Sequence, residues 1–204
     1  MSPPVGPTGL PELCDGSGPP AWHLTASVAY LGSTIEMDED VAIRETVVTA
    51  TLGHFVTPRL GWSVSAGAVV DGEIQDEDIR GGATLAGAVS YLALYEKKRR
   101  LRPFVSLSAS LGTALIRAGG DTYSAWDARG GVTVGKTFGD VVVPYATARV
   151  FGGPVFWRGD TGGDRYHVTA GLGAVLRLPS RISVTLEALP LGERSGTAAI
   201  GGRF

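Results

Sequence analysis

This 204-residue sequence predicts an all-β fold: a closed, antiparallel, up-and-down barrel of ten strands, with eight as the fallback count, that spans a membrane. Three observations lead there. From Ala21 to the last residue, apolar and polar positions alternate with a period of two and not 3.6. The polar positions hold Ser, Thr, Gly and Ala with isolated charges, and lysine occurs only at 97, 98 and 136, so neither face resembles the solvated coat of a water-soluble barrel. The links between runs are short and long in turn, the asymmetry of a membrane barrel with tight turns at one end and larger loops at the other.

Residues 1–20 stand apart. They hold six of the twelve prolines and four glycines, a composition that resists helix and strand alike, and they read as a periplasmic tail or a plug for the barrel. They contain neither a basic n-region nor an apolar h-region, so this form carries no visible secretory signal. Cys14, the single cysteine, excludes an internal disulfide framework and a cysteine-built metal cage.

The barrel domain then occupies 21–204. Alternation places strands at 21–32, 43–56, 60–71, 83–95, 104–116, 125–138, 141–151, 165–178, 182–189 and 197–204. In 60–71, Leu60, Trp62, Val64, Ala66, Ala68 and Val70 share one face, opposite Gly61, Ser63, Ser65 and Gly67. In 104–116, Val105, Leu107, Ala109, Leu111 and Leu115 oppose Ser106, Ser108, Ser110, Gly112 and Ala114, and 165–178 repeats the split. Residues 57–59, 96–102, 139–140 and 179–181 read as turns. Residues 33–42, 72–82, 117–124, 152–164 and 190–196, several rich in Asp, Glu or Gly, read as the longer loops. Most runs reach the roughly 9–11 residues that cross hydrocarbon at about 45° tilt.

Composition removes other classes. Hydrophobic types make up 44% and charged ones 19%, which excludes a charge-rich disordered chain. The formal net charge of −2 gives no footprint for nucleic acid. No run approaches the about 18 apolar residues of a membrane helix. On the apolar face, Trp22, Tyr30, Trp62, Tyr91, Tyr95, Trp126, Phe138 and Tyr166 fall mostly near strand ends, as an interfacial aromatic girdle requires. Lys136 is the one clear charge on that face, close enough to the turn end for its stem to snorkel.

Turning the polar faces inward gathers Glu45, Asp127, Arg129, Arg149, Arg165, His167 and Glu187 in the lumen towards the loop end. Two readings follow: a salt-bridge network that shuts or narrows the barrel, or a constriction whose arginines favour anions. The inward faces are poor in bulk, so Phe104, Tyr145 and Phe151, the tail, or water must fill the hollow. For hydrolysis, His167 beside Glu187, Asp164 or Asp127 is the one arrangement on offer, and no motif fixes its partner. The acidic clusters at 38–40 and 71–78 lack the spacing of a calcium loop, so neither metal nor cofactor is expected.

The chain resembles small Gram-negative outer-membrane β-barrels of the OmpA- and OmpX-like kind over roughly 21–204. Its most specific feature is the end, where Ala198, Ile200, Gly202 and Phe204 alternate up to a terminal aromatic residue. The resemblance implies an outer-membrane location and folding after export. It also implies lipid and lipopolysaccharide around the barrel, and recognition of Ile200 and Phe204 by the barrel-assembly machinery. Those families typically have eight strands; ten matches the outer-membrane proteases of the omptin kind, whose activity fold analogy does not transfer. The role expected is a non-enzymatic scaffold or partner-binding subunit that contacts other envelope proteins. A small porin-like passive pore is the alternative, and an outer-membrane hydrolase comes third.

Overall fold

The computed structural model describes residues 22–96, 102–179 and 181–204. Tail residues 1–20, with Cys14, lie outside the described residues, as do Lys97 and Lys98. The strands are β1 (Trp22–Glu36), β2 (Val41–Phe55), β3 (Leu60–Ile74), β4 (Glu77–Leu94), β5 (Phe104–Ala118), β6 (Asp121–Gly135), β7 (Val142–Gly152), β8 (Pro154–Trp157), β9 (Asp160–Asp164), β10 (Val168–Arg177), β11 (Ile182–Leu191) and β12 (Arg194–Arg203). All pairings are antiparallel, and the sheet closes where β12 meets β1, from His23 opposite Arg203 to Gly32 opposite Arg194. Reciprocal backbone bonds between Trp22 and Phe204 finish that seam.

The closed circuit β1–β7, β10, β11 and β12 is the ten-stranded barrel. Above it the circuit changes. β11 and β12 stop at the tight turn around Gly192 and Glu193, while β8 and β9 prolong the β7–β10 hairpin. There β8 stays beside β6, and the far edge of β9 pairs directly with β1 through Ile35–Asp164 and Glu36–Gly163. The upper ring is therefore β1–β6, β8 and β9, eight strands on a ten-stranded base.

Segments 33–42, 72–82 and 117–124, expected as loops, are mostly strand. β1 runs on to Glu36, β3 to Ile74 and β5 to Ala118, and the last two end in two-residue turns. Gln75 and Asp76 take φ of 46° and 66°, and Gly119 and Gly120 take 58° and 107°, the positive angles of a primed hairpin turn. Likewise 152–164 is the β8–β9 hairpin, and 190–196 shrinks to one turn.

Side-chain polarity explains the division. In the lower barrel the outward face is apolar and exposed, with Leu24, Val28, Val64, Leu85, Leu111, Leu172 and Leu186 among its members, and the inward face is small and polar. Such an exterior is stable only against hydrocarbon. In the upper ring the sides exchange. Arg44, Arg80 and Arg117 are exposed and Glu73 is half-buried, whereas Ile35, Ile43, Ile74, Ile116, Tyr123, Val155 and Trp157 form one buried cluster inside. The same strands thus leave lipid and enter water, β1 turning its apolar side inward in unbroken alternation and β3 and β4 doing so across bulges at Val70 and Arg80.

The lower lumen is filled too. Phe104, Tyr145 and Phe151 are buried, closing the gap that the small residues leave. Glycines opposite them make the room: a Cβ on Gly173 would lie 2.3 Å from the Tyr145 ring, and one on Gly135 would lie 2.7 Å from Phe104. Gly173→Ala is expected to cost about 1–3 kcal/mol by overpacking, read as a lower temperature for loss of the compact band on unheated-versus-heated gels. Gly196→Ala, where a Cβ meets nothing within 4 Å, should leave that temperature unchanged, and Tyr145→Ala added to Gly173→Ala should cost less than the two single changes combined.

Candidate functional site: a sealed lumen with two ionic layers

The predicted lumen charges separate into layers. In the lower one, Arg149 on β7 donates from Nη2 to Glu187 Oε1 on β11 at 2.6 Å, and Tyr145 Oη donates to Glu187 Oε2 at 3.0 Å. All three side chains are buried, and adjacency of β7, β10 and β11 brings them together. Both oxygens of Glu187 are thereby engaged. The strand order that places Arg149 two strands from Glu187 also lets the ring of Tyr145 lie across Gly173 of the intervening β10.

The upper layer centres on Arg129 of β6. Its guanidinium is paired with Asp127 on the same strand face and forks onto Glu193, with Nη1 3.3 Å from Oε1 and Nη2 3.2 Å from Oε2. It also stands 5.3 Å from the centre of the Phe151 ring. Glu193 was not among the expected residues, because it lies in the segment read as a loop. Gly192, at φ 73°, reverses the chain so tightly that a Cβ there would sit 2.0 Å from the Val168 carbonyl. Thr169 Oγ1 pins the same turn by donating to the carbonyls of Leu191 and Glu193 at 2.7 and 3.1 Å. The only sequence signal is a Gly-Glu pair between two alternating runs, a turn whose second residue can fold back.

Glu45 on β2 is inward, as expected, and fully buried. No hydrogen-bond donor among the described residues reaches either of its oxygens, and the same holds for Asp164 at the end of β9. Around the single guanidinium of Arg129, then, stand four buried carboxylates, those of Glu45, Asp127, Asp164 and Glu193. Asp164 closes β9 in the upper ring, opposite Ile35 of β1. Burial pushes its carboxyl up to about 6, with Asp127 and Glu193 adding in the same sense.

Arg165 and His167 do not join these layers. The break between β9 and β10 at 165–167 interrupts the alternation, and both residues are exposed. Arg165 pairs with Asp40 at the rim, and His167 Nδ1 lies 3.3 Å from the Phe151 carbonyl oxygen. His167 therefore meets neither Glu187 nor Asp164. Among the described residues no histidine is hydrogen-bonded to a carboxylate, and no three His, Cys, Asp or Glu side chains are grouped to hold a metal ion.

On the outer face, Trp22, Tyr30, Tyr91, Trp126, Phe138 and Tyr166 are exposed at the two ends of the apolar band, joined by Phe156 of β8. Trp22, His54 and Trp62 form one cluster, with Trp22 4.5 Å from His54 and edge-on to Trp62 at 5.7 Å. Tyr95 differs. The register shift between Leu92 and Leu94 turns it inward against Leu92, Phe104, Val143, Tyr145 and Val175, under the guanidinium of Arg59. Lys136 reaches Glu96 at 3.0 Å, and that carboxylate also accepts from Thr137. Ile200 and Phe204 both point outward.

No family model matches the chain, and neither does any curated protein. Among solved structures, the translocator domain of autotransporter NalP from Neisseria meningitidis is similar over 94% of this chain and 91% of that one, with 14% identity and a TM-score of 0.48. Neisserial surface protein A (NspA) is similar over 91% of this chain and 98% of that one, with 12% identity and a TM-score of 0.41. Likenesses this remote add nothing to the ladder pairings described above.

Removing one partner of the Arg149–Glu187 pair leaves a buried charge alone, which is expected to cost about 3–5 kcal/mol. Arg149→Leu and Glu187→Leu should each lower the urea midpoint of the detergent-solubilised protein strongly. The double variant should recover most of the loss, and a double variant as unstable as the summed singles would refute the pairing.

Proposed function

We propose that this protein is a non-conducting integral β-barrel of the Gram-negative outer membrane that serves as a scaffold or partner-binding subunit. One observation carries the reading: the upper ring is packed shut by apolar side chains, with Ile35, Ile43, Ile74, Ile116, Tyr123 and Val155 completely buried across its width. Hydrated ions gain nothing from such a plug, and the desolvation they would suffer in passing it closes the route. The arginines that an anion filter needs are engaged as well, Arg149 by Glu187 and Arg129 by Asp127 and Glu193. What remains for contact with partners is the exterior: an apolar band facing lipid and a projecting, charge-bearing upper ring.

The outer membrane is assigned on the closed, strand-built span and the outward-pointing Ile200 and Phe204 at the chain end. Lipid and lipopolysaccharide are the surroundings that this location supplies, and the barrel-assembly machinery is the partner proposed to read the terminal pair. Phe204→Ala should reduce the yield of folded barrel in cells several-fold while leaving refolding into detergent unchanged; an equal loss in both would make Phe204 a structural residue only.

The decisive test is reconstitution of the full chain into planar bilayers at pH 5. The expected result is a barrel that shifts mobility on heating, as membrane barrels do, and yet gives no steady conductance. Stable open-channel steps at pH 5 would overturn the scaffold reading in favour of a pore.

A further inference from the structure

The eight-stranded ring is joined most weakly at the β8–β9 hairpin. β1 and β2 pair over fourteen residue pairs and β5 and β6 over fifteen, but β9 and β1 pair over two, Ile35–Asp164 and Glu36–Gly163. One further backbone bond, from Arg165 N to the Thr34 carbonyl at 3.3 Å, and the exposed Arg165–Asp40 ion pair complete the junction. Exposed pairs of this kind contribute little. The other edge, β8 on β6, also pairs over two, Ser124–Phe156 and Ala125–Val155, but it keeps the register of the β6–β7 ladder and is continuous with β7 through Gly153, whereas β1 changes neighbour there from β12 to β9, so the β1 side is the discontinuity.

Both ends of the hairpin have a joint. Gly153 separates β8 from β7, and its missing side chain is required, since a Cβ would lie 1.9 Å from the Trp126 carbonyl oxygen. Residues 165–167 separate β9 from β10. Just inside the seam lies the upper ionic layer. Asp164 at the end of β9 and Glu45 on β2, both without a donor among the described residues, share the space with Asp127 and Arg129 of β6 and Glu193 of the β11–β12 turn, near the buried Tyr123. Among the described residues, the layer with Asp164 and Glu45 neutral carries two carboxylates against one guanidinium. With both ionised it carries four, in a place water does not reach.

We propose that the β9–β1 seam is a pH-responsive lateral gate, in which ionisation of Asp164 and Glu45 drives the β8–β9 hairpin outward about Gly153 and residues 165–167 and admits water to the upper lumen. Packing of Val155 and Trp157 into the apolar cluster holds the gate shut, and mutual repulsion of the buried carboxylates opposes it. The direction follows from the raised carboxyl of Asp164. An open seam returns that group to water and its ordinary value, so the closed form is fully favoured in acid and loses ground as pH rises through about 6. A change from 3.8 to about 6 shifts the open-to-closed ratio by up to about a hundredfold.

The test uses the full chain in lipid vesicles with Cys14→Ser, carrying Ile35→Cys at the seam or, as a reference, Asp76→Cys in the exposed β3–β4 turn. Labelling by a membrane-impermeant maleimide is followed at pH 5 and pH 8, and the ratio of seam rate to reference rate removes the intrinsic pH dependence of thiols. The ratio is expected to rise at least tenfold from pH 5 to pH 8, and Asp164→Asn is expected to flatten the rise. Should either variant fail to fold, acrylamide quenching of Trp157, with the other three tryptophans changed to Phe, gives the same answer: quenching increases with pH if the gate opens. A ratio and a quenching constant that do not change with pH would overturn the gate. Conductance already present at pH 5 would instead overturn the non-conducting reading while leaving the gate standing, so the two failures are distinguishable.

Discussion

Every strand in this protein must satisfy two solvents along its length. In hydrocarbon an unpaired backbone group costs several kcal/mol, so the sheet has to close on itself, and its outward side chains have to be apolar. Beyond the bilayer the outward side meets water, and the hydrophobic effect acts in the opposite sense across the same sheet. Strand pleating fixes which residues point out, so the chain meets both demands by exchanging polarity along strands such as β1 and by bulges that shift parity in β3 and β4. Along β1, Leu24, Val28 and Tyr30 point out where Thr25, Ser27 and Ala29 point in; then Thr34 and Glu36 point out where Ile35 points in. The seal of the lumen follows from that exchange and needs no separate plug.

The lower lumen solves a different problem, since ten strands enclose more space than small polar side chains fill. Rings do the filling, and glycine on the neighbouring strand gives each ring its place, as Gly173 does for Tyr145 and Gly135 for Phe104. The high glycine content thus serves packing as much as turning. Burying Arg149 and Glu187 among those rings is costly unless they meet, and their 2.6 Å contact, together with Tyr145 donating to the second carboxylate oxygen at 3.0 Å, is the arrangement that offsets most of the desolvation. The upper layer is less complete, with one guanidinium among four carboxylates of the described residues, and it lies directly behind the short β9–β1 ladder.

Much of this was legible in the residues. Period-two alternation, the scarcity of lysine and the aromatic residues near strand ends state the barrel, its strand count and its inverted surface, because each reflects a local rule about which neighbour a side chain meets. What escaped depended on neighbours far away in sequence. Asp, Glu and Gly in 33–42 and 72–82 read as loop composition, although Ile35 and Ile43 keep to the parity of the inward face and so mark continuing strands; Ile74 reaches the inside only through the bulge at Val70, which resets the parity of β3. Tyr95 was displaced by one bulge, and Arg165 and His167 by a break, each of which resets parity without a sequence mark. Glu193 could be placed only once the β11–β12 turn was known to fall short of the rim.

The two rings share six strands but not their closing contacts. The base is joined where the first strand meets the last, whereas the rim is joined where the first strand meets Gly163 and Asp164. All that the rim needs is therefore present forty residues before the chain ends. A chain emerging from its N-terminus gains the means to complete its narrow crown before its wide foot exists, and loss of the final hairpin would remove the foot's last staves while leaving every ladder of the crown intact.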